Sequence, residues 1–582
     1  MIALNSVHAN GRTFRQRFGL PALALLAIAT FAIGTVGFTH CRNDAGDPYS
    51  LADAFYQSIR LFTLESGLVD EPVPWQVQLA RFLAPALTFT AVAQALAGIF
   101  RTELQGFRLS RSRGHIVICG AGAKAAALIR DYGLSRQRVV IIDKSPPEDL
   151  QDVPGQANVF AIRGDATHRD TLKQARAERA ERVFITTGND STNIGIAAAL
   201  ICHCKSSKYR KGRVACHVHL VDHQTGELFK RHQIFKNAAD RVDMHTFNVY
   251  ENAARLLWRE RLLACGPLAP DENRRPHIVI GGLGQMGEAV LLRLVRSAHY
   301  AKGRKPSITV FDIEADACKE RLLERYPALP HLCDLDFVQS DLAHPKTAGR
   351  MAAVLASPDQ LGSAVFCLDD DYENFAAALR LAPHLREHAV PIFIRLSRAE
   401  GLLKLLRDEN SDSALARQID GFGLISVCCT RDLVLTDQLS RTARSLQEAY
   451  IADRLRDGVP ASDHSLRPWE ELDEAFQESS REQAEHLELK LRTFGYSAAA
   501  TDQRLPEAFS KAQVEILGRM EHARWVAERE LAGWTYAPGP KDAARRTSPN
   551  LVPWEQLPPN IQKIDFDFVV AIPRILAASR GK

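Results

Sequence analysis

The sequence predicts an α/β protein with two tandem Rossmann-like, doubly wound parallel-sheet domains. A two-helix transmembrane hairpin is expected before them, and a small, mostly α-helical domain after them. The run His115-Ile-Val-Ile-Cys-Gly-Ala-Gly122 returns as His277-Ile-Val-Ile-Gly-Gly-Leu-Gly284. Short apolar runs alternate with helix-length segments from Gly114 onward, which is typical of a parallel sheet. Two long uncharged runs, at 18–38 and 82–100, precede this pattern.

The composition is that of an ordinary globular protein. With 582 residues, the chain has room for about three or four domains. The net charge of +4 creates no global field that would attract a nucleic acid, so no nucleic-acid partner is expected. The 11 cysteines are scattered through stretches that resemble protein cores, which favours a reducing compartment over a disulfide framework.

Residues 1–110 are predicted to form a membrane hairpin. The uncharged runs are about 21 and about 19 residues long, enough to cross a bilayer. A cleaved signal peptide is the alternative for the first run, although its apolar core is too long for one. Arginines flank the hairpin at both ends, whereas carboxylates dominate the loop between the runs. The positive-inside rule therefore predicts a multi-pass protein of the cell inner membrane, with both termini and the soluble domains in the cytoplasm.

The loop of the hairpin contains a second helical pattern. Residues 50–64 place apolar side chains at helical spacing, and a turn follows at Ser66-Gly67. This layout is that of a two-span ion-channel subunit with a re-entrant pore helix. The position of a potassium filter reads Thr63-Leu-Glu-Ser-Gly67, which lacks the run of glycine-permitted carbonyls that such a filter needs. An interfacial helix on the outer leaflet is the alternative.

The two α/β domains are predicted at 114–265 and 275–440, about 160 residues apart in register. The first should contain a helix at 124–131 and strands at 116–119, 139–143, 159–162, 183–187 and 214–221. In the second, strands are expected at 278–280, 308–312, 337–338, 364–368 and 392–396.

The glycine-rich turns carry the chemistry of these domains. Gly282-Leu-Gly284-Gln-Met-Gly287 is a complete G-x-G-x-x-G, and Gly120-Ala-Gly122-Ala-Lys-Ala125 is the same pattern with alanine third. The first glycine permits a tight turn, the second lets the backbone approach a pyrophosphate, and the third lets helix pack on strand. Asp143 and Asp312, about 20–25 positions later, are expected to bind ribose hydroxyls, which favours NAD(H) or an adenine nucleotide over NADP. A domain whose pocket has lost its ligand is the alternative.

These turns, together with Gly164-Asp165-Ala-Thr167, resemble the RCK domains, also called KTN or TrkA-N domains, over residues 114–400. The matching residues of the first copy are Gly120, Gly122, Asp143, Asp165, Asn189, Asp190 and Asn193. Those of the second copy are Gly282, Gly284, Gly287, Asp312, Asp341, Asp369, Asp370, Asp371 and Asn374. The resemblance implies a fold that binds NAD(H), ATP, ADP or a related nucleotide and transmits domain motion to a membrane pore. Such a pore requires a homo-oligomer, by symmetry a dimer or a tetramer.

A cysteine–histidine group at 202–204 and 216–219 matches no standard zinc template. Cys216-His-Val-His219 falls in a predicted strand, where neighbouring side chains alternate between faces, so core packing is expected and no metal site is assigned. A dehydrogenase is a further alternative, because two Rossmann units stand in tandem. No catalytic domain with a base and a substrate cleft follows them, so no enzymatic activity and no catalytic residue are expected.

Residues 441–582 are predicted to be mostly helical and free of strands. Leu466-Arg-Pro-Trp-Glu-Glu-Leu472 returns as Leu551-Val-Pro-Trp-Glu-Gln-Leu557. The segment at about 516–578, which contains His522-Ala-Arg-Trp525 and this second motif, resembles the RyR domain, a small helical repeat. It departs from that family at Ala537 and Gly539-Pro540. The resemblance implies a sensor module.

Aromatic faces and guanidinium groups in this stretch suit a phosphorylated nucleoside. The candidate ligand residues are Arg524, Trp525, Trp534, Tyr536, Arg545 and Trp554. A compact helical core stabilised by indoles is the alternative. The whole sequence thus predicts a membrane-anchored, nucleotide-responsive cation channel or transport regulator, with potassium as the expected ion. Its partners would be a nucleotide, the lipid bilayer and further copies of the chain. A pore-less, membrane-tethered sensor that uses the RyR-like domain is the alternative function.

Overall fold

The structure is a computed structural model. It describes residues 14–42, 46–63, 65, 73–134, 137–146, 158–209, 212–222, 225–226, 240–266, 268–385, 388, 390–397, 401–402, 418–435, 437–472, 474–497 and 506–580. The described chain forms two compact units. The first comprises residues 1–125, 132–218 and 228–245, and the second comprises residues 126–131, 219–227 and 246–582. The four predicted domain boundaries stay predictions.

The N-terminal segment forms three helices, α1 (Phe14–Phe38), α2 (Leu51–Leu61) and α3 (Trp75–Ser110). The predicted short helix in the loop is therefore confirmed, and Ser50 caps it by accepting a hydrogen bond from the Asp53 amide at 3.2 Å. The turn predicted at Ser66-Gly67 lies outside the described residues, as does most of the segment read as a potassium filter.

Small residues bring the three helices together. A side chain at Gly37 would lie 2.6 Å from Val77, so only glycine fits the observed spacing there. One at Gly34 would lie 3.2 Å from the hydroxyl of Ser58, which is a tight contact. Ser58 is fully buried and accepts a hydrogen bond from Thr35 at 3.2 Å. The helices share an apolar cluster formed by Phe38, Ala54, Leu61, Val77, Ala80 and Ala84.

One segment of the described chain, Trp75–Leu96, is long and apolar enough to cross a membrane. Ala22–Phe38 is apolar but shorter. The apolar stretch of α3 also begins earlier than the predicted run at 82–100. The prediction of two membrane spans is therefore not confirmed.

The first α/β domain contains a six-stranded sheet in the order β3-β2-β1-β4-β5-β6. Its strands are β1 (Ile116–Cys119), β2 (Val139–Asp143), β3 (Val159–Arg163), β4 (Arg182–Ile185), β5 (Val214–His219) and β6 (Val242–Phe247). Its helices are α4 (Ala123–Leu134), α5 (Arg169–Gln174) and α6 (Asp190–Ser206), and α7 (Val249–Glu260) follows β6. Strand β1 is completely buried, as expected for a parallel strand covered on both faces.

The second α/β domain repeats this order as β9-β8-β7-β10-β11-β12. Its strands are β7 (Arg275–Gly281), β8 (Ser307–Asp312), β9 (Asp334–Gln339), β10 (Gln360–Phe366), β11 (Ile392–Arg395) and β12 (Ile419–Phe422). The intervening helices are α8 (Gln285–Ser297), α9 (Ala315–Arg325), α10 (Leu329–Leu332), α11 (Pro345–Leu355) and α12 (Asp371–Leu381). Both sheets are parallel, so the predicted fold class is confirmed, although β6 and β12 were not predicted.

The C-terminal region is built from helices α13 (Ile425–Cys428), α14 (Arg431–Leu435), α15 (Asp437–Arg456), α16 (Glu474–Arg492), α17 (Lys511–Leu531) and α18 (Pro559–Arg580). The prediction that no strand follows residue 440 is wrong, because a two-residue pair, β13 (Thr535–Tyr536) and β14 (Thr547–Ser548), closes a loop after α17. The two Pro-Trp-Glu motifs adopt the same structure. Trp469 and Trp554 each start a short 3-10 helix and are 7% exposed. A glutamine eight residues later donates a hydrogen bond to each tryptophan carbonyl, at 2.7 and 2.9 Å.

A buried ion network joins this helical region to the second α/β domain. Arg293 of α8 is 3% exposed and donates hydrogen bonds to Glu482 at 2.7 Å and to Glu485 at 2.8 Å. Arg255 of α7 reaches Glu485 at 3.1 Å and Glu478 at 3.2 Å. The three carboxylates lie on α16, so each arginine is neutralised where water is excluded.

The third glycine of the second turn gives a test of the close contact between α8 and β7. A Cβ at Gly287 would lie 2.1 Å from the Gly282 carbonyl oxygen, so Gly287→Ala should destabilise the protein by about 1–3 kcal/mol. Gly349→Ala is the matched control, since a Cβ there meets nothing within 4 Å and alanine favours a helix. Chemical unfolding of the full chain in detergent measures both. Equal stability of the two variants would contradict the close contact.

Candidate functional site

A glycine follows each central strand in a left-handed backbone conformation that only glycine adopts without strain. Gly120 follows β1 with φ +103°, and Gly282 follows β7 with φ +89°. The Gly120 N–H donates to the Ile142 carbonyl and the Gly282 N–H to the Phe311 carbonyl, both at 2.8 Å. These bonds fix the turn against the neighbouring strand and direct the chain into α4 or α8.

The acid at the end of the neighbouring strand holds this turn in both domains. The carboxylate of Asp143 accepts hydrogen bonds from the backbone amides of Ala121 and Ser145, each at 2.8 Å. Asp312 accepts from Leu283 at 2.7 Å and from Glu314 at 2.8 Å. Both carboxylates are half-buried at the carboxyl end of the sheet, and each oxygen retains acceptor capacity for a further donor such as a ribose hydroxyl.

The second glycine of each turn is exposed and faces open space. A Cβ at Gly122 or at Gly284 would meet no atom of the protein within 4 Å. Gly284 has φ −75° and ψ −163°, a conformation that other residues also adopt. Glycine at this position is therefore not required by the fold, and it leaves room for a group that approaches the backbone closely.

The predicted acids in the turns after β3 and β9 accept similar hydrogen bonds in the two copies. Asp165 accepts from the Thr167 hydroxyl at 2.6 Å and from its amide at 2.9 Å, and Asp341 accepts from the Ala343 amide at 2.8 Å. Hydrogen bonds from Thr167, followed by the one from Lys144 at 3.0 Å, hold the pKa of Asp165 well below its ordinary value. Both acids cap their own turn, and Asp341 is exposed.

The loops after β4 and β10 complete the carboxyl edge of each sheet. Asn193 and Asn374 are fully buried, and each accepts a backbone N–H bond from the end of the adjoining strand, at 3.1 and 2.8 Å. Their role is to hold the loop. Asp369 of the second loop is exposed and accepts a hydrogen bond from the buried Arg395 at 2.7 Å.

A separate cavity of about 500 Å³ lies within the C-terminal helical region. Its wall is formed by α15, α16, α17, α18 and the loop at 541–550. Arg529 lines it, is 8% exposed, and has a buried Nε with no hydrogen-bond partner among the described residues. Lys541 lies 5.3 Å from the ring centre of Trp534, and Arg529 lies 5.5 Å from it.

The structure brings only some of the RyR-type candidates together. Arg524 and Trp525 line the cavity, although Arg524 is ion-paired with Glu521 at 2.9 Å and Glu528 at 2.6 Å. Trp534 is not among the lining residues, but its ring lies beside two of them, Arg529 and Lys541.

The remaining three candidates lie elsewhere. Trp554 packs in the core against Phe566, whereas Tyr536 and Arg545 are exposed and do not line the cavity. Sequence reasoning missed Arg529 as a lining residue, although it follows Trp525 by one helical turn.

The cysteine–histidine group is packed into the first α/β domain. Cys216 is completely buried, and the ring of His217 stacks with Phe184 and His245 at 5.1 and 5.0 Å. His203 donates a hydrogen bond through Nε2 to the carboxylate of Glu178 at 2.9 Å. Among the described residues there is no group of three or more potential ligands placed to hold a metal ion.

Comparison with known proteins identifies part of the chain. Residues 116–232 match the TrkA-N domain. A segment of 112 residues is 30% identical to an uncharacterized protein of Methanothermus fervidus, covering 19% of this chain and 18% of that protein. Another of 97 residues is 28% identical to potassium channel protein 1 of Methanocaldococcus jannaschii, covering 17% of this chain and 29% of the relative. The matches thus span less than a third of either relative.

Solved structures resemble larger parts of the chain more distantly. The structure of GsuK bound to ADP is 17% identical, with 71% of this chain and 96% of that chain covered and a TM-score of 0.37. The GsuK channel bound to NAD is 15% identical over 73% and 85%, with a TM-score of 0.38. The human SLO3 gating ring is 11% identical over 56% and 83%, also at 0.38. At these low scores we draw no function from the resemblances.

The ion cluster beside the cavity predicts a pH-dependent stability. Burial alone would raise the pKa of Glu521, but Arg524 and Lys490 lower it from 4.5 to about 2. Lys490 is completely buried and lies 2.6 Å from this carboxylate. Because the pKa is lowered in the folded state, the stabilisation is fully present above about pH 4.5 and is lost as the pH falls towards 2.

Glu521→Gln should therefore lower the free energy of unfolding by about 3–5 kcal/mol near neutral pH, because it leaves Lys490 buried without its carboxylate. It should also reduce the loss of stability between pH 4.5 and 2. Glu515→Gln, on the same helix and paired with Arg519 at the surface, is the control and should cost less than about 1 kcal/mol. Urea unfolding at several pH values measures both. A similar, small effect of the two substitutions would refute this role for Glu521.

Proposed function

We propose that the chain is a membrane-anchored, nucleotide-responsive subunit or regulator of a cation channel, gated through two RCK-type domains. The ligand is NAD(H) or an adenine nucleotide such as ADP or ATP, bound at the glycine turns. The protein has no enzymatic role in this proposal. The cation is potassium, in line with the name of the Methanocaldococcus jannaschii relative.

One observation carries the nucleotide part of the proposal. Both α/β domains hold the same glycine turn through the same carboxylate contact, Asp143 to Ala121 and Asp312 to Leu283. In both, the second glycine faces open space at the start of a helix whose free N–H groups and positive end attract phosphate. A purely structural turn would have no need to keep this space clear twice. The TrkA-N match over the first copy supports the same ligand class.

The N-terminal helices support the membrane part. Large apolar side chains are exposed along α1 and α3, among them Leu25 at 68%, Phe82 at 68% and Phe89 at 77%. Lipid or neighbouring copies of the chain would cover them, and several hairpins around one axis are needed to enclose a pore. In this proposal both termini are cytoplasmic and the loop that contains Cys41 faces outward. The chain then assembles as a dimer or a tetramer.

Glu65 stands where a potassium filter would have backbone carbonyls, so the proposed path conducts potassium without being strictly selective for it. Its carboxylate is paired with Arg60 of α2 at 3.0 Å, and its side chain is 63% exposed. A carboxylate at a pore mouth attracts cations without selecting between them, whereas backbone carbonyl rings select potassium. We propose a cation path that Glu65 influences through its charge.

The second candidate function is a pore-less, membrane-tethered sensor. The cavity in the helical region favours it, because the buried Nε of Arg529, beside Trp525, has no hydrogen-bond partner within the described part of the chain. The same guanidinium donates a hydrogen bond to Ser479 at 3.3 Å. An RyR-type domain with these residues would bind a phosphorylated nucleoside through cation and aromatic contacts. In this case the hairpin serves as an anchor.

Valine at the second glycines tests the nucleotide sites without disturbing the fold. Gly284→Val and Gly122→Val each place a side chain in open space, where it would block the pyrophosphate. Calorimetry on the full chain in detergent, with NAD, NADH, ADP and ATP, should show that each substitution weakens one binding event at least about tenfold. Unchanged melting temperatures serve as the control. If the variant that carries both substitutions bound nucleotides with the affinity of the wild-type chain, the nucleotides would have to bind elsewhere.

Currents from the reconstituted full chain separate the channel from the sensor. We expect nucleotide-dependent cation currents, and a changed conductance or selectivity in Glu65→Gln, because neutralising a charge at the pore mouth alters the local cation concentration. Asp53→Asn is the matched control, since Asp53 lies at the start of α2 beside its cap. A monodisperse monomer without current under every nucleotide would eliminate the channel and leave the sensor.

A further inference from the structure

The helical region consists of two halves with the same plan. The first half is α15, the first Pro-Trp-Glu motif and α16, and the second half is α17, the second motif and α18. In each half an arginine of the first helix reaches the glutamate that follows the tryptophan. Arg444 lies 2.7 Å from Glu470, and Arg519 lies 2.5 Å from Glu555. These contacts align α15 with α17, with Arg444 opposite Arg519.

A second pair of contacts gives the same alignment. Three residues after the arginine, Gln447 donates a hydrogen bond to the Arg467 carbonyl at 3.3 Å, and His522 donates one to the Val552 carbonyl at 2.8 Å. Arg467 and Val552 each stand two residues before the tryptophan of their half. The two halves therefore correspond residue by residue along their first helices.

This alignment pairs the residues that line the cavity of the helical region. Tyr450 corresponds to Trp525 and Arg454 to Arg529, and all four line the cavity. The second helices are aligned by the glutamines that bind the tryptophan carbonyls, and they add the lining pairs Phe476 and Ile561, Ser480 and Asp565, and Gln483 and Phe568. Equivalent positions can line one shared space only if the two halves face each other across it. The cavity is thus enclosed by matched groups from both halves.

Each half contributes an aromatic ring and an arginine on one helix. The two are four residues apart, so they lie on the same helical face. In the second half, the guanidinium carbon of Arg529 is 6.0 Å from the ring centre of Trp525. An aromatic face stacks with a nucleobase and a guanidinium binds phosphate, so each pair suits one nucleotide.

Both arginines retain donors for a ligand. Each has a carboxylate of its own half beside it, Asp457 at 3.0 Å from Arg454 and Glu528 at 3.5 Å from Arg529. Arg529 also donates to the Ser479 hydroxyl of the first half at 3.3 Å. A guanidinium has five N–H donors, and the buried Nε of Arg529 has no hydrogen-bond partner in the described chain.

The carboxylates in the cavity wall do not exclude a phosphate. Three of them lie beside basic side chains of the same region: Asp453 is 2.9 Å from Arg456, Asp567 is 2.7 Å from Lys563, and Glu521 is 2.6 Å from Lys490. Asp463 accepts a hydrogen bond from the Ser465 amide at 2.8 Å. Burial raises the pKa of Asp565, which favours its neutral form. Lys541 adds a cation to the wall, 5.6 Å from the ring centre of Phe476.

We propose that this cavity binds a dinucleotide with two like halves. One nucleobase lies at Tyr450 and the other at Trp525, and the two phosphates lie at Arg454 and Arg529. The cavity volume of about 500 Å³ is within the range of ligand pockets. A mononucleotide would use only one of the two matched pairs. This inference deepens the second candidate function, because it rests on the phosphorylated-nucleoside class proposed for the helical region and not on the glycine turns.

Cyclic and linear dinucleotides share this chemistry, and binding measurements separate them. The full chain that carries both Gly122→Val and Gly284→Val is used in detergent, so that the glycine turns do not contribute. Calorimetry with cyclic di-AMP, cyclic di-GMP, linear diadenosine diphosphate and AMP should show one dinucleotide per chain. Its Kd should be at least about tenfold lower than that of AMP, and the tighter form identifies the linkage.

Substitutions in both halves test the matched pairs. Arg454→Gln and Arg529→Gln should each weaken the dinucleotide at least about tenfold, because each removes a charged phosphate contact. Arg444→Gln and Arg519→Gln are the matched controls, since these arginines stand on the same helices, pair with glutamates and do not line the cavity. Their Kd should equal that of the parent chain.

The aromatic rings give a second, independent set of variants. Tyr450→Leu and Trp525→Leu should each weaken binding about tenfold, whereas Trp525→Phe, which keeps a ring, should retain most of it. Melting temperatures verify that each variant is folded. Arg454 is more exposed than Arg529, at 21% against 10% of its side chain, so the first-half variants provide the test if a second-half variant is unstable.

Two results would overturn the inference. AMP binding as tightly as every dinucleotide, or a loss of affinity confined to substitutions in one half, would refute the matched site. The absence of binding by all four probes would refute the site altogether. Binding of ADP or NAD by the wild-type chain in that case would leave the proposed function of the glycine turns intact, so the two failures are distinguishable.

Discussion

The contact between a strand-end carboxylate and the glycine turn beside it is the interaction on which both α/β domains depend. Asp143 and Asp312 each bind the amide of the residue between the first two glycines, and each also binds an amide in its own loop. The carboxylate thus determines where β1 or β7 turns into a helix. It also places an acceptor at the point where a ribose would lie and keeps the second glycine open. In the proposed function, one side chain would therefore serve both the fold and the recognition of the ligand.

The second domain has a direct mechanical connection from this turn to the helical region. Helix α8 begins immediately after Gly284 and carries Arg293 about 12 Å further along its axis. Arg293 is buried against Glu482 and Glu485 of α16, so a displacement of α8 would have to move these carboxylates or break a buried ion pair. Because α16 also lines the cavity of the helical region, the turn and the cavity are linked through rigid elements. This arrangement gives a physical route by which a ligand at one position would influence the other.

Much of the fold is predictable because the central strands have a clear pattern in the sequence. Ile116–Cys119 and Val139–Asp143 are short apolar runs that end at a glycine turn or an acid, and the structure places them as predicted. The strands β6 and β12 are missed because they lie at sheet edges, where polar side chains interrupt the pattern: Val242–Phe247 contains Asp243 and His245. Two membrane spans were expected from composition, yet within the searched, described part of the helix before the loop the apolar segment, Ala22–Phe38, is shorter than a span.

The two candidate sites likewise differ in how far the sequence predicts their residues. The glycine turns are local in sequence, and so their residues could be named in advance. The cavity of the helical region is assembled from four helices and a loop, and no local pattern shows which side chains face it. Tyr536 and Arg545 were selected for their chemistry and do not line the cavity, whereas Arg529 was overlooked. Composition identifies suitable groups, but packing decides which of them meet.

Hydrogen–deuterium exchange of the full chain, with and without ADP and NAD, tests the central claim that the glycine turns are the nucleotide sites. Binding should slow exchange in peptides that cover 119–125 and 281–288, because the amides at the start of α4 and α8 would be donated to phosphate. Protection confined to residues 441–580, with both turns unchanged, would contradict the claim and place the nucleotide in the helical region.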